Sequence, residues 1–299
     1  MVNTCKKEFM KKLLLALTLS MSANAAEFTV HHAPGGPSDR GTRTVSKYLP
    51  NDYVVVNRPG AGGRIATKHL IKNNTLMLAT VGQIFVTNAL SKQDAGYSPT
   101  EDLEIVGNIA IMPNVLVCRA DLGYRKLSDI GNKSLNFAVA GYGSSEHIAT
   151  EALFTKISGK HLSIPYALGG SGGINDLLGG TIDCMFANYP TVKPFVNDKR
   201  LTIIFSSHEL GLNITTWQQT FNEQFPFQSY LSLVISKTMP VEERNKVIND
   251  IKTALGNNEL RNEIKSLGLF PVLDTDTKSV NRAISNLNKF ILSSNIRIE

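Results

Sequence analysis

The chain has three cysteines in 299 residues, Cys5, Cys118 and Cys184, far too few for a disulfide-held scaffold. It has one tryptophan, Trp217, and its Lys and Arg residues are dispersed, which excludes the basic, aromatic-rich stripe of a nucleic-acid surface. Nucleotide-binding signatures are missing as well. Each GxG pair lacks its third glycine: Ile65 follows Gly60 and Gly62, Glu146 follows Gly141 and Gly143, Asn175 follows Gly170 and Gly172, and no Walker lysine occurs. The nearest serine elbow, at 143–147, ends in His147 where glycine is required, which disfavours a hydrolase. His69, His161 and His208 lack a metal-ligand spacing. His31 and His32, read as consecutive strand residues, send their rings to opposite faces. No cofactor, metal or catalysis is therefore expected.

Long apolar runs are also absent. The run Leu13 to Met21 falls well short of the ~20 residues that cross a bilayer. Lys11 and Lys12 precede it and Ser22-Ala23-Asn24-Ala25 follow, the pattern of a secretory signal peptide over 1–25, with Met10 as an alternative start and Ala26 or Glu27 as the mature end. No cysteine sits at the cleavage point, so a freely diffusing periplasmic product is expected rather than a lipid-anchored one. Removing the leader lowers the formal charge from +6 to +3, since 27 basic and 24 acidic residues remain. Such a mildly positive surface can collect anions. Cys118 and Cys184 lie inside the apolar runs NVLVCR and IDCMFAN and read as two buried thiols in preference to a bridge.

What the sequence does contain is an α/β rhythm. FTVHHA, YVVVNR and LMLATVG each precede a helix-like stretch, and LNFAVAG, LSIPY, IDCMFAN and RLTIIFSS repeat the alternation, with Gly-rich turns at the strand ends. NVLVCR (114–119) and YLSLVIS (230–236) read as two crossing strands between lobes. Pro240, Glu242 and Glu243 suit a helix start, and Val247, Ile248, Ile251 and Leu255 form its apolar face before Gly256.

Five stretches carry a resemblance: APGGPSDRGTR, VVVNRPGAGGRIAT, YSPTEDLEIVGNIAIMPNVLV, AGYGSSEHIATEALF and IPYALGGSGGINDLLGGTIDCMFAN. In this order they resemble the solute-binding proteins of tripartite tricarboxylate transporters, the Bug family. Two departures stand out: Ala167-Leu168 where that family usually has Lys-Gly, and TTWQQTFNEQFPFQ in place of its Pro-Thr-x-x-Glu segment. The resemblance implies an α/β, two-lobed periplasmic binding protein of the type II, Venus-flytrap form. Lobe 1 would comprise 26–117 with 236–299, lobe 2 would comprise 118–235, and two crossing strands would form the hinge. It implies a monomer that captures a small organic carboxylate and works with membrane transporter subunits of the tripartite tricarboxylate type, without nucleic acid. Presentation of the ligand to a membrane sensor is the alternative.

Ligand contacts are expected at strand–helix junctions, where exposed N–H groups and the positive helix end favour an anion. In lobe 1 these are Pro34, Gly35, Gly36, Gly82 and Gln83. In lobe 2 they are Gly141, Gly143, Ser144, Ser145, His147, Gly170, Ser171 and Asn188. Asp39 is expected to cap its helix, and Arg40 and Arg43 to be solvated, so the grip would rest on main-chain donors with no fixed cation. Four or five hydrogen bonds to a charged group, at roughly 1.5–3 kcal/mol each, reach the ~8 kcal/mol of micromolar binding.

Overall fold

The structure, a computed structural model, describes residues 26–166, 170–294, 296 and 298, with Ser171 described in its backbone alone. The expected signal peptide and the Ala167-Leu168 departure lie outside the described residues.

Each short apolar run forms a strand. β1 (Ala26–Val30) leads to α1 (Pro37–Ser46), β2 (Tyr53–Asn57) to α2 (Arg64–Asn73), and β3 (Leu76–Thr80) to a π-helical turn at Gly82–Thr87. β4 (Leu103–Met112) and β5 (Asn114–Arg119) follow, then β6 (Ser134–Val139), α3 (Ser145–Phe154), β7 (Lys160–Pro165), α4 (Gly170–Gly179), β8 (Cys184–Asn188), α5 (Tyr189–Asn197) and β9 (Leu201–Ser206). After α6 (Trp217–Phe221) come β10 (Ser229–Ser236), α7 (Val241–Leu255), α8 (Asn258–Ser266), β11 (Phe270–Asp274) and α9 (Thr277–Ser293).

Two sheets result. The six-stranded sheet has the order β11-β4-β10-β3-β1-β2, with β1 to β3 parallel and β10 antiparallel to both its neighbours. The five-stranded sheet has the order β7-β6-β8-β5-β9, with β6 to β8 parallel and β5 antiparallel to both its neighbours. β10 lies mid-sheet and is buried along its whole length, which is why SYLSLVIS shows no clean polar alternation. Helices α7 and α8 press Val247, Ile251, Leu260 and Ile264 onto Phe28, Leu78 and Leu233 of the first sheet. Gly256 ends α7, as its position after Leu255 predicts. Phe137, Phe186 and Phe205 of the second sheet pack with Ile148, Leu153 and Trp217.

The last helix serves both cores. Val280 and Ala283 of α9 pack with Val81 and Tyr230 of the six-stranded half, while Leu287 and Ile291 join the cluster of Phe137 and Phe205.

The chain passes between the sheets twice. β5 pairs within the five-stranded sheet and β10 within the six-stranded one, so the crossings fall beside these strands, at Pro113 and in 207–228. Both points lie several residues from 117/118 and 235/236.

The cysteine expectation is corrected: Cys118 and Cys184 are bonded to each other. They are register partners on the antiparallel strands β5 and β8, with Cα atoms 4.1 Å apart. Strand pairing across 66 residues of sequence put two buried sulfurs together.

Candidate functional site

In sheets of this kind ligands bind beyond the carboxyl ends of the parallel strands. The expected site residues follow β1, β3, β6, β7 and β8.

In the six-stranded half the strand stops at Val30, and His31 and His32 leave it in a bend. Their rings therefore lie 4.0 Å apart, centroid to centroid, and not on the opposite faces that continued alternation would give. His31 Nε2 is 2.7 Å from Thr80 Oγ1, and His32 Nδ1 is 3.0 Å from Ser38 Oγ in the first turn of α1. Burial pushes His32 down to about 4 and His31 well below the ordinary imidazole range, so both rings are neutral near pH 7. Thr80 Oγ1 also donates to Gln83 Oε1 at 3.5 Å, in the π-helical turn. Such turns recur at functional sites.

In the five-stranded half Glu146 is the meeting point. Ser145 Oγ donates to its Oε2 at 2.9 Å and Asn188 Nδ2 to its Oε1 at 2.8 Å. Gly170 lies close enough that a Cβ there would sit 3.8 Å from Oε1. The loops after β6, β7 and β8 thus converge on one carboxyl, and burial pushes that carboxyl up. The polar chain runs on: Asn114 Nδ2 donates to Asn188 Oδ1 at 3.4 Å, and Ser229 Oγ donates to Asn114 Oδ1 at 3.2 Å. Asn114 N–H donates to Ser207 Oγ at 2.9 Å. Asn114 follows the first crossing, and Ser207 and Ser229 flank the second.

Between the halves lies a cavity of about 250 Å³, lined by Gly62, Arg64, Gln83 and Asn88 from one side and Gly141, Tyr142 and Tyr166 from the other. Two direct contacts join the halves nearby. Arg40 Nη2 donates to the Pro190 carbonyl at 3.1 Å, and Gly143 packs so tightly that a Cβ would meet Thr87 at 3.3 Å and Ile298 at 3.0 Å. A larger, open depression of about 420 Å³ beside β9, with Arg125 and Lys199, is lined by the five-stranded half alone and includes no expected residue.

Residues 41–291 match the family described as tripartite tricarboxylate transporter family receptor, TctC. The chain belongs to this family. The receptor is similar to a UPF0065 protein in the TAR-I ttuE-ttuC′ intergenic region of Agrobacterium vitis, 27% identical over 297 residues, covering 91% of this chain and 85% of that one. Among solved structures it resembles the periplasmic binding protein BugD, with TM-score 0.80 and 20% identity over 91% of this chain and 98% of that chain. It also resembles R. palustris Rpa4515 with adipate, with TM-score 0.81 and 22% identity over 91% and 97%. The receptor thus has the two-lobed α/β fold of periplasmic binding proteins.

The fold regroups the residues expected to hold ligand. Gln83 and Gly141 line the interlobe cavity. Ser145, Gly170 and Asn188 meet at Glu146, while the Ser171 side chain lies outside the described residues. Pro34 and Gly35 are exposed at the end of the first loop, and Gly36 precedes α1. The N–H of Gly35, at φ +83°, is already donated to Asp39 Oδ2 at 2.9 Å. Pro37 has no N–H, so the donors left to this turn are those of Gly36, Ser38 and Asp39.

Four expected contacts have internal duties in the receptor. Gly143 donates its N–H to His147 Nδ1 at 3.1 Å, and His147 Nε2 lies 3.6 Å from Glu151. Ser144 accepts the His147 N–H as the cap of α3. Gly82 gives room to Leu287, whose Cδ2 would lie 2.9 Å from a Cβ. Arg43 pairs with Asp39, but Arg40, expected to be solvated, is half-buried because it reaches across to Pro190. Sequence reasoning missed Arg64, Tyr142, Tyr166 and Glu146. Three of them adjoin quoted glycine motifs, and that adjacency was the available signal.

Proposed function

We propose that this receptor captures a small organic carboxylate in the periplasm, between its two lobes, and delivers it to membrane subunits of a tripartite tricarboxylate transporter without transforming it. The passages at Pro113 and 207–228 serve as the hinge. The observation that carries this reading is the convergence of strand-end loops from both halves around one cavity. There, helix N-termini and neutral donors favour an anion. The adipate in the R. palustris structure points to the same chemical class.

A thermal-shift screen of a carboxylic-acid library on the mature chain tests the reading. A ligand at about 100 times its dissociation constant adds about 2.7 kcal/mol, several degrees for a chain of this size. A library in which amines or sugars shift the transition and no acid does would overturn it.

A further inference from the structure

We infer that His147 is the positioning residue of the Gly141–Gly143 turn: its unprotonated Nδ1 holds that turn against the opposite half, and taking up a proton releases it. The inference rests on the carboxylate reading above and adds to it a dependence of capture on pH.

β6 ends at Val139, and the chain reaches α3 through Gly141 at φ +104° and Gly143 at φ +78°, backbone that other residues rarely adopt. This turn belongs to the site in two ways. Gly141 and Tyr142 line the interlobe cavity, and Gly143 packs on Thr87 of the six-stranded half. Inside the turn the Ser144 N–H donates to the Gly141 carbonyl at 3.2 Å. Further hold comes from His147 in the first turn of α3. Its Nδ1 accepts the buried Gly143 N–H at 3.1 Å, and the Tyr142 ring meets its ring edge to face, with centroids 5.1 Å apart.

A backbone N–H can only donate, so Nδ1 is an acceptor and the neutral ring carries its proton on Nε2. Nε2 faces Glu151 Oε1 at 3.6 Å. The same oxygen lies 2.9 Å from His161 Nε2 and accepts Ser163 Oγ at 3.1 Å. Among the described residues, the titratable groups that face His147 are thus Glu151 from its own helix, His161 from β7 and Tyr142 from the turn. The carboxyl of its neighbour Glu146 is held by Ser145 and Asn188 instead. A second ring proton, on Nδ1, would set N–H against N–H and leave the buried Gly143 amide without its acceptor. Burial holds the ring below the ordinary imidazole range, against the pull of Glu151, so the locked form prevails near neutral pH. Acidification therefore loosens the turn, its part of the cavity wall and the contact with Thr87 together.

NMR and calorimetric titration of the mature receptor test this. Without added acid, a nitrogen–nitrogen coupling across the Gly143 N–H···Nδ1 bond is expected at about pH 7.5 and is expected to vanish by about pH 4.5. Glu151→Gln removes the charge facing Nε2 and is expected to move that loss to lower pH. His147→Leu leaves the Gly143 amide unpaired and is expected to weaken adipate binding at about pH 7.5 by about tenfold. His147→Asn puts Oδ1 in the place of Nδ1, an acceptor that does not titrate in this range. It is expected to recover part of the lost affinity and to show a smaller fall in affinity on acidification than the wild type. Unfolding curves establish that the variants are folded. A proton on Nδ1 at the higher pH, a coupling that survives acidification, or the same pH dependence of adipate binding in wild type and His147→Asn overturns the positioning role and leaves the capture reading standing. Absence of binding by adipate and by every acid in a broad library overturns the capture reading, and the coupling then decides the role of His147 by itself.

Discussion

His31 and His32 show how a single residue pair responds to where a strand ends. Unfolded imidazole takes up a proton near pH 6.5, whereas folded His32 does so only at about 4, His208 also at about 4, and His31 well below the ordinary range, each chiefly because of burial. Below about pH 6.5 the unfolded chain therefore binds more protons, and stability falls as the pH drops toward about 4. The expected result is a lower urea midpoint at about pH 5 than at about pH 7, with His32→Gln flattening the difference. Equal midpoints for the wild type at the two values would contradict it. Glu27 does not confuse this window. Arg58 holds its carboxyl down to about 2, so its contribution is fully present above about pH 4.5 and is lost only below that.

Residues of the candidate site were legible where local sequence forces local geometry. Gln83 and Gly141 follow strands directly, and a strand-to-helix turn must present its N–H groups at the sheet's carboxyl end. Arg64 and Tyr166 were not legible as a pair, because they line one cavity only through the meeting of the two halves. Glu146 escaped notice for a related reason: its partners arrive from three loops, each ordinary by itself.

At the scale of elements, the parallel strands and the closing helices could be read from period and punctuation. α7 begins after Pro240 and ends at Gly256 as its caps require. The pairing of β5 with β8 could not be read, because strand order is decided by packing across the sheet, and the disulfide follows from that order. Closing a loop of this length adds about 4 kcal/mol on the chain-entropy account, with about 2–4 more usual in practice. Replacing both Cys118 and Cys184 by alanine is expected to lower the unfolding free energy by about 2–4 kcal/mol, measured by urea under non-reducing conditions. Adding reductant should move the wild type toward the variant. An unchanged midpoint in both experiments would show that the bridge contributes nothing to stability.

The described molecule is two sheets linked at Pro113 and at 207–228, with further ties that include the Arg40–Pro190 bond, the Gly143–Thr87 contact, the approach of Gly268 to Tyr189 and helix α9. The polar chain from Glu146 through Asn188 and Asn114 to Ser229 reaches from the strand-end loops to the crossings.

Helix α9 acts as a splint across a joint, with Val280 against the six-stranded half and Leu287 in the cluster that joins Val86 of that half to Phe137 and Phe205 of the other. Such a splint is expected to limit how far the two halves separate. Shortening Leu287 to alanine loosens one end of the binding. The variant should then show a larger ligand-dependent change in radius of gyration by X-ray scattering than the wild type, and an identical change would mean the helix imposes no restraint.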